Sequence, residues 1–324
     1  MARRKARIPQ GKKIQPAVQT LIFELSGTGT SYIDLSQCAS IVNRRFYRQG
    51  LNWAVAGMSL HTVGTGYASV LKIPDTWVNS NAWHKAMAFW LKQQNEAIAD
   101  SGSESAVAKF RDFKVFMDVL HEQATVSGNL IPYTFDCVTG AESAYKTGEW
   151  EASQVVLPNS SADASGSEVV PNEYYLHMIG ANRVGDSKGI IDGYQSSRSY
   201  PQSPDPVSPT IGNADNWMNR MFNVGSDNPD VVSNATEKND DLPYDQDEYP
   251  GSETNASGLE IVSTSAITTT TIGGTTRFMG TNFPCGLIRI TNQSSTGWTV
   301  APLLQVHLVP GNHRGYLAEP MQDM

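Results

Sequence analysis

The side chains best suited to chemistry in this sequence are basic residues within the first thirteen positions. No acidic residue stands among them, and the basic residues are Arg3, Arg4, Lys5, Arg7, Lys12 and Lys13. Clustered lysine and arginine charges bind phosphates by releasing the counterions of a nucleic acid. A short charged run without apolar periodicity cannot bury a core, so residues 1–15 are predicted to form a mobile basic arm. The alternative interpretation is a solvated tail.

A second basic segment contains Arg44, Arg45, Phe46, Tyr47 and Arg48. Arginine beside aromatic rings can meet phosphates while the rings stack on unpaired bases. The alternative is a sheet surface on which long side chains lie along apolar neighbours. We predict that Arg44, Arg45 and Arg48 assist the arm.

The rest of the chain has the opposite charge. The whole chain carries −8 and its first thirteen residues carry +6, so the remaining 311 residues carry −14. The sequence therefore predicts one protein with a basic surface and an acidic one.

Catalytic groupings are not evident in the sequence. It contains no GxSxG or HExxH motif, and none of the six histidines lies within four residues of another: His61, His84, His121, His177, His307 and His313. Isolated histidines on strands are usually core or surface groups. We expect no enzyme and no cofactor. The alternative, a hydrolase on a β scaffold, requires a nucleophile and a base that the pattern does not supply.

One acidic cluster offers oxygen ligands, and its members are Asp240, Asp241, Asp245, Asp247 and Glu248. Such ligands suit Ca²⁺, but the DxDxDG spacing of a calcium loop is missing. A solvated acidic loop is the preferred interpretation, and the cluster remains a weak metal candidate.

Composition limits the class of protein. The 324 residues are 40% hydrophobic with a mean hydropathy of −0.33, and no apolar run is long enough to span a membrane. No apolar segment follows the basic N-terminus, so a secretory signal is not expected. Three widely spaced cysteines (Cys38, Cys137 and Cys285) argue against a disulfide framework and favour a reducing compartment.

Short runs rich in Val, Ile, Thr and Tyr predict many strands, separated by Gly, Pro and Asn clusters. The predicted strands are 18–25, 32–35, 51–60, 67–73, 110–120, 130–135, 153–157, 174–179, 189–194, 258–262, 286–291 and 299–309. One long helix is predicted at 81–99, with Asn79 and Ser80 as cap candidates. This density of strands favours an antiparallel sandwich or barrel. Residues 199–251 hold seven prolines and little periodicity, which indicates an interaction loop contacting another subunit.

Six segments, taken in order, resemble the capsid proteins of circular Rep-encoding single-stranded DNA viruses, the circovirus-like genomes. The resemblance runs in collinear blocks from about residue 70 to the C-terminus, so it spans most of the chain. The segments are TWVNSNAWHKAMAFWLKQQNEA (76–97), FRDFKVFMD (110–118), KGIIDGYQSSRSYPQSPDPVSP (188–209), DDLPYDQDEYPG (240–251), FPCGLIRI (283–290) and QVHLVPGNHRGYLAEPM (305–321).

This resemblance implies a single eight-stranded antiparallel jelly roll over residues 16–324, with one long inserted helix and long surface loops. It implies a structural protein that self-assembles into an icosahedral T=1 shell of about sixty copies. The implied partners are other copies of the chain and a single-stranded DNA genome, without a membrane. The implied locations are the virion and, during assembly, the host nucleus. Related circoviruses have longer, more arginine-rich arms. Because this arm has only six basic residues, we predict that Arg44, Arg45 and Arg48 help it to bind the genome.

Two alternatives remain open. An RNA-virus coat protein would share the fold, since nothing in the arm distinguishes ribose from deoxyribose. A soluble carbohydrate-binding β-sandwich module would use exposed aromatic residues as stacking platforms, and the candidates are Trp150, Trp217, Tyr244 and Tyr249.

Overall fold

In the computed structural model, the described residues are 15–25, 27–102, 107–157, 172–198, 248–255, 258–294, 298 and 301–324. Most of their regular elements are strands, and the two main sheets are antiparallel throughout. The prediction of an all-β protein with antiparallel main sheets is therefore confirmed. No helix in these ranges is both long and apolar enough to cross a bilayer.

The first main sheet is built around the longest strand among the described residues. Its strands, in spatial order, are β1 (Thr20–Glu24), β14 (Leu303–Leu308), β3 (Leu51–His61) and β12 (Thr275–Phe283). A short strand, β17 (Ala318–Pro320), extends the sheet by pairing with the start of β3.

The second main sheet has four strands. In spatial order they are β11 (Glu260–Ile267), β4 (Gly66–Lys72), β13 (Leu287–Ser294) and β2 (Gly29–Asp34). The strands of the two sheets pair in a nested way along the chain. Apart from the short β17, the first strand of the two sheets pairs with the last (β1 with β14), and then β2 pairs with β13, β3 with β12 and β4 with β11.

The inward faces of these sheets share one hydrophobic core. Alternation along β1 buries Leu21 and Phe23, and the second sheet contributes Val70 and Ile290. Trp53, at the centre of the core, is fully buried and satisfies its indole N–H by donating to Ser36 Oγ at 3.1 Å. Side chains of this size each stabilise the fold by roughly 1.5–3 kcal/mol through burial, so the shared core holds the sandwich together.

The predicted long helix is present as α2 (Trp77–Asp100) and begins earlier than expected. Thr76 is its N-cap, since its Oγ1 accepts from the amide of Asn79 at 3.4 Å. Asn79 and Ser80 lie inside the helix, so their predicted capping role is wrong. Ser80 instead donates to the carbonyl of Met321 at 2.9 Å. The helix packs on a second hydrophobic core through Trp83 and Trp90.

That second core also contains a small sheet and a further helix. The sheet consists of β5 (Phe116–Asp118), β8 (Gln154–Leu157), β9 (Asn172–Ile179) and β10 (Ser187–Gly189), and the helix is α4 (Ile190–Ser196). Both β5 and β10 run parallel to β9, whereas β8 is antiparallel. This sheet is therefore mixed, unlike the purely antiparallel architecture expected for the whole chain.

The remaining elements are short. They are α1 (Leu35–Asn43), α3 (Val119–Ala124), β6 (Tyr133–Asp136), β7 (Ala141–Ala144), β15 (Pro310–Gly311) and β16 (Gly315–Tyr316). The strands β6 and β7 pair with each other as a hairpin, and so do β15 and β16.

One strand prediction is wrong, another is right only in part, and several strands were missed, of which β12 is the longest. Residues 110–120 form a strand only at β5, because the amides of Lys114 and Val115 donate to the side chains of Ser153 and Gln49 instead of to a neighbouring strand. Residues 189–194 form most of α4, which buries Ile190 and Ile191. The strand β12 has few apolar residues and so lacks the usual signal; Phe278 and Phe283 are its large buried side chains.

Candidate nucleic-acid interface

The described chain begins at Gln15, directly after the basic residues of the predicted arm. Those six residues (Arg3, Arg4, Lys5, Arg7, Lys12 and Lys13) lie outside the described ranges. The segment that follows is held by three hydrogen bonds. Arg45 Nη1 donates to the carbonyl of Pro16 (3.1 Å), the amide of Val18 donates to Asn43 Oδ1 (3.0 Å), and Tyr316 Oη donates to the carbonyl of Val18 (2.6 Å).

The helix α1 positions the second basic segment. Its N-cap is Asp34, whose Oδ1 accepts from the amides of Ser36 and Gln37 at 2.9 and 3.2 Å. The helix ends at Arg44, which adopts a left-handed conformation (φ 51°) that is uncommon for a residue with a Cβ. This turn sends Tyr47 into the sandwich core and leaves Arg44 exposed.

Arg45 and Arg48 line a cleft of about 530 Å³ on the surface of the sandwich. We call it the basic-aromatic cleft, and its principal residues are Gln15, Arg45, Phe46, Arg48, Lys109, Phe110, His313 and Arg314. The structure thus brings the end of the predicted arm and two of the three predicted helper arginines to one place. Arg44 does not line the cleft, although it directly precedes Arg45.

Aromatic rings and cations alternate across this cleft. The rings of Phe46 and Phe110 lie 5.3 Å apart between centroids, and Phe110 is 60% exposed. The guanidinium of Arg48 lies 6.0 Å from the Phe46 ring, and Lys109 Nζ lies 5.5 Å from the Phe110 ring. An exposed ring flanked by cations is suited to single-stranded nucleic acid, because a base can stack on the ring while the neighbouring phosphates contact the cations.

The charges of the cleft are only partly neutralised. Arg48 Nη1 lies 3.6 Å from Asp112 Oδ1, but the Arg48 side chain is 62% exposed whereas that of Asp112 is 5% exposed. Burial raises the pKa of the Asp112 carboxyl, while hydrogen bonding from the Gln49 amide and the charge of Arg48 oppose that shift. Arg48 therefore combines a structural contact with an exposed charge. None of the residues that line the cleft is acidic.

Lys109, Phe110 and Arg314 were not predicted as site residues. Arg314 reaches the cleft because the β15–β16 hairpin returns beside α1, where the Arg314 guanidinium donates to the carbonyl of Phe46 and its own carbonyl accepts from Tyr47 Oη at 2.9 Å. Arg314 lies 268 positions from Phe46 in the sequence, so no local spacing could have paired them. The adjacency of Lys109 and Phe110 was the only available signal for these two residues.

The weak metal candidate receives no support from geometry. Asp240, Asp241, Asp245 and Asp247 lie outside the described ranges, and Glu248 is exposed. Among the described residues, no group of three histidine, cysteine or acidic side chains is placed to hold a metal ion.

The two described aromatic candidates for carbohydrate binding, Trp150 and Tyr249, are also poorly placed. Tyr249 is buried at 9% exposure, so its ring cannot serve as an open platform. Trp150 is half-buried, donates to Asp34 Oδ2 at 3.2 Å and carries Lys114 Nζ 4.3 Å above its ring. Trp217 and Tyr244 lie outside the described ranges.

A buried polar network around His121 is the most strongly perturbed histidine environment. The amide of Met117 donates to His121 Nδ1 at 3.0 Å, so the proton resides on Nε2 and is donated to Asn129 Oδ1 at 2.7 Å. The His121 ring stacks on Tyr32 with centroids 4.3 Å apart, and burial lowers its pKa to about 4. His121 is therefore a satisfied core histidine that packs against the second hydrophobic core.

Asp118 completes this network. It accepts from Tyr32 Oη at 2.8 Å and from Arg289 Nη1 at 2.7 Å. These bonds satisfy the carboxylate without leaving a group free to act as a base.

Comparison of the chain with protein-family models, with curated protein sequences and with solved structures gave no match.

Proposed function

We propose that this chain is the coat subunit of a circular Rep-encoding single-stranded DNA virus, which assembles into a closed icosahedral shell and packages the genome. The observation that carries the proposal is the position of Gln15 in the basic-aromatic cleft. The predicted arm ends at Gln15, in a cleft that four cations and two phenylalanine rings line. The resemblance of the six sequence segments supplies the virus group.

The strand pairing supports a jelly-roll fold for this coat subunit. A jelly roll results when a long antiparallel hairpin is rolled up, so that strands pair from the two ends of the chain inward and divide between two sheets. The nested pairs β1–β14, β2–β13, β3–β12 and β4–β11 follow this scheme. In this proposal, the small mixed sheet, α2 and α4 are an insertion between the fourth and fifth strands of the roll.

The cleft supports contact with single-stranded nucleic acid of any sequence. Its cations would meet phosphates, and Phe110 would stack on a base, an interaction that every base can make. An unpaired strand exposes its bases to such a ring, whereas a duplex hides them. DNA is proposed over RNA because of the family resemblance, since the cleft chemistry suits both.

Assembly of the purified chain tests the first part of the proposal. We expect negative-stain microscopy and sedimentation to show closed particles, with nucleic acid that DNase digests after the particles are opened. RNase-sensitive contents would replace the DNA virus with the RNA-virus alternative. A monomer that binds glycans would instead support the carbohydrate-binding module.

Removal of the arm tests the second part. We expect a chain lacking residues 1–13 to form shells with less nucleic acid, and the triple variant R44Q/R45Q/R48Q to do the same. Six arm contacts with single strands predict a slope of log K against log salt of about −4, which the truncated chain should lose. Binding that is insensitive to salt and unchanged by the truncation would contradict a packaging role for the arm.

A further inference from the structure

The β6–β7 hairpin projects an apolar tip that contributes nothing to either hydrophobic core. Val138 at its turn is 95% exposed, and Phe135 is 62% exposed. Within the described residues, β6 and β7 pair only with each other. Two-stranded hairpins are marginal in water, and exposed apolar side chains at a tip typically mark an interaction surface.

Two hydrogen bonds to one side chain hold the turn of this hairpin. Asp136 Oδ1 accepts from the amides of Val138 and Thr139 at 2.8 and 3.4 Å, and these bonds lower the pKa of the Asp136 carboxyl. Phe135 stands directly opposite Glu142 in the strand register. Opposed residues share one face of a hairpin, so an apolar ring and a carboxylate lie side by side.

An apolar groove of about 290 Å³ lies between α2, α4 and the small sheet. Phe89 forms part of its wall and is 59% exposed, while Leu176 and Trp90 form buried parts. Two of the residues that line the groove, Lys85 and Lys188, are basic, and none is acidic.

Neither lysine forms an ion pair with a carboxylate among the described residues. Lys85 Nζ donates to Ser197 Oγ at 2.6 Å and lies 5.8 Å from the Phe89 ring. Lys188 Nζ lies 4.7 Å from the Tyr174 ring. The groove therefore presents an apolar wall beside positive charge, the complement of the apolar and acidic hairpin.

We propose that the groove receives the β6–β7 hairpin of a second copy of this chain, with Phe135 and Val138 against Phe89 and with Glu142 facing Lys188. The contact joins two different patches, so it is heterologous and can close a ring of subunits. The inference rests on the proposed function, because it assigns one subunit contact of the shell. Local charge complementarity is needed here, since copies carrying −8 each repel one another.

Disulfide trapping tests this contact directly. Cys137 is exposed at the hairpin tip, while Cys38 and Cys285 are buried and should not form disulfides. Introducing F89C should yield disulfide-linked multimers on mild oxidation of assembled particles, because bridging requires Cα atoms within about 7 Å. The variant F89C/C137S and a chain carrying V63C instead of F89C should remain unlinked.

Charge exchange tests the same contact without cysteine chemistry. We expect E142K to reduce particle yield at least about tenfold and K188E to do the same, while the double variant recovers most of the yield. V138D should also block assembly, whereas V184D, which alters a valine that is 97% exposed on another loop, should assemble normally.

The outcomes separate this inference from the proposed function. If the wild-type chain forms no particles, both fail together. If particles form, but F89C gives no trans disulfide and E142K, K188E and V138D assemble like the wild type, only the hairpin contact is overturned.

Discussion

The guanidinium of Arg45 donates a hydrogen bond to the carbonyl of Pro16 at 3.1 Å. This bond attaches the segment that follows the predicted arm to the segment that follows α1, and both border the basic-aromatic cleft. Arg45 therefore has a structural contact in addition to its charge. A test of charge alone is better made on Arg44 and Lys109.

We predict that R44Q/K109Q weakens binding to an oligo-dT strand and makes it less dependent on salt. Each lost phosphate contact should reduce the magnitude of the slope of log K against log salt by about 0.7, so two should reduce it by about 1.4. Fluorescence anisotropy at several salt concentrations measures this slope. K92Q is the matched control, because Lys92 is an exposed lysine of α2 that pairs with Glu96 at 3.7 Å. Equal slopes for all three proteins would contradict a role for the cleft residue Lys109 and for Arg44 beside the cleft.

We predict that F110A weakens the same binding by about 1–3 kcal/mol, the range for loss of one base-stacking contact. F110Y should retain most of the affinity because it keeps an aromatic face. The side chain of Phe110 is 60% exposed, so thermal unfolding of both variants should match that of the wild type. Equal affinity of F110A and F110Y would show that the ring does not stack on a base.

We predict that G280A destabilises the fold, although Gly280 is exposed. A Cβ at this position would lie 2.2 Å from the carbonyl oxygen of Ala56, so β12 would have to separate from β3. Backbone displacement of this kind should cost at least about 2 kcal/mol of unfolding free energy. G193A is the matched control, since nothing lies within 4 Å of its added Cβ and α4 should gain up to about 1 kcal/mol. Thermal denaturation of the unassembled chain compares them, and an unchanged melting temperature for G280A would count against the close β3–β12 approach.

We predict that His121 makes the fold less stable as pH falls from 6.5 to about 4. Its folded pKa is about 4, below the usual 6.5, because of burial. In this pH range His121 binds a proton in the unfolded chain but not in the folded chain, so unfolding is favoured. The free energy of unfolding should fall by on the order of 3 kcal/mol at the acid end of the range.

Protonation of Asp34 changes the stability of the fold in the opposite direction. Burial raises its folded pKa to about 6, so the folded chain takes up the extra proton and gains stability as pH falls from 6 to about 4. Urea unfolding of the wild type and of H121Q at pH 7 and pH 4.5 separates the effect of His121 from that of Asp34, because Asp34 is present in both proteins. The stability difference between them should shrink at low pH, and H84Q, which alters an exposed histidine, should follow the wild type. A constant difference would show that His121 does not titrate in this window.

Local sequence determined the strands that bury alternate residues and the helix α2. In β1 and β14, apolar side chains at every second position must face one core, which fixes both strand and face. The arm and the segment around Arg45 could also be identified as basic segments from the sequence, because charge density along the chain does not depend on the fold. The helix α4 was mistaken for a strand because its apolar run is too short to distinguish the periodicity of a helix from that of a strand.

Only the tertiary structure decided which distant residues meet. Arg314 and Phe46 adjoin because the β15–β16 hairpin returns to α1, and Phe110 and Phe46 adjoin because residues 111–115 bond to the side chains of Gln49 and Ser153. Such contacts depend on the packing of both cores, which no local window of sequence contains. The parallel pairing of β5 with β9 has the same origin, since it joins segments separated by more than fifty residues.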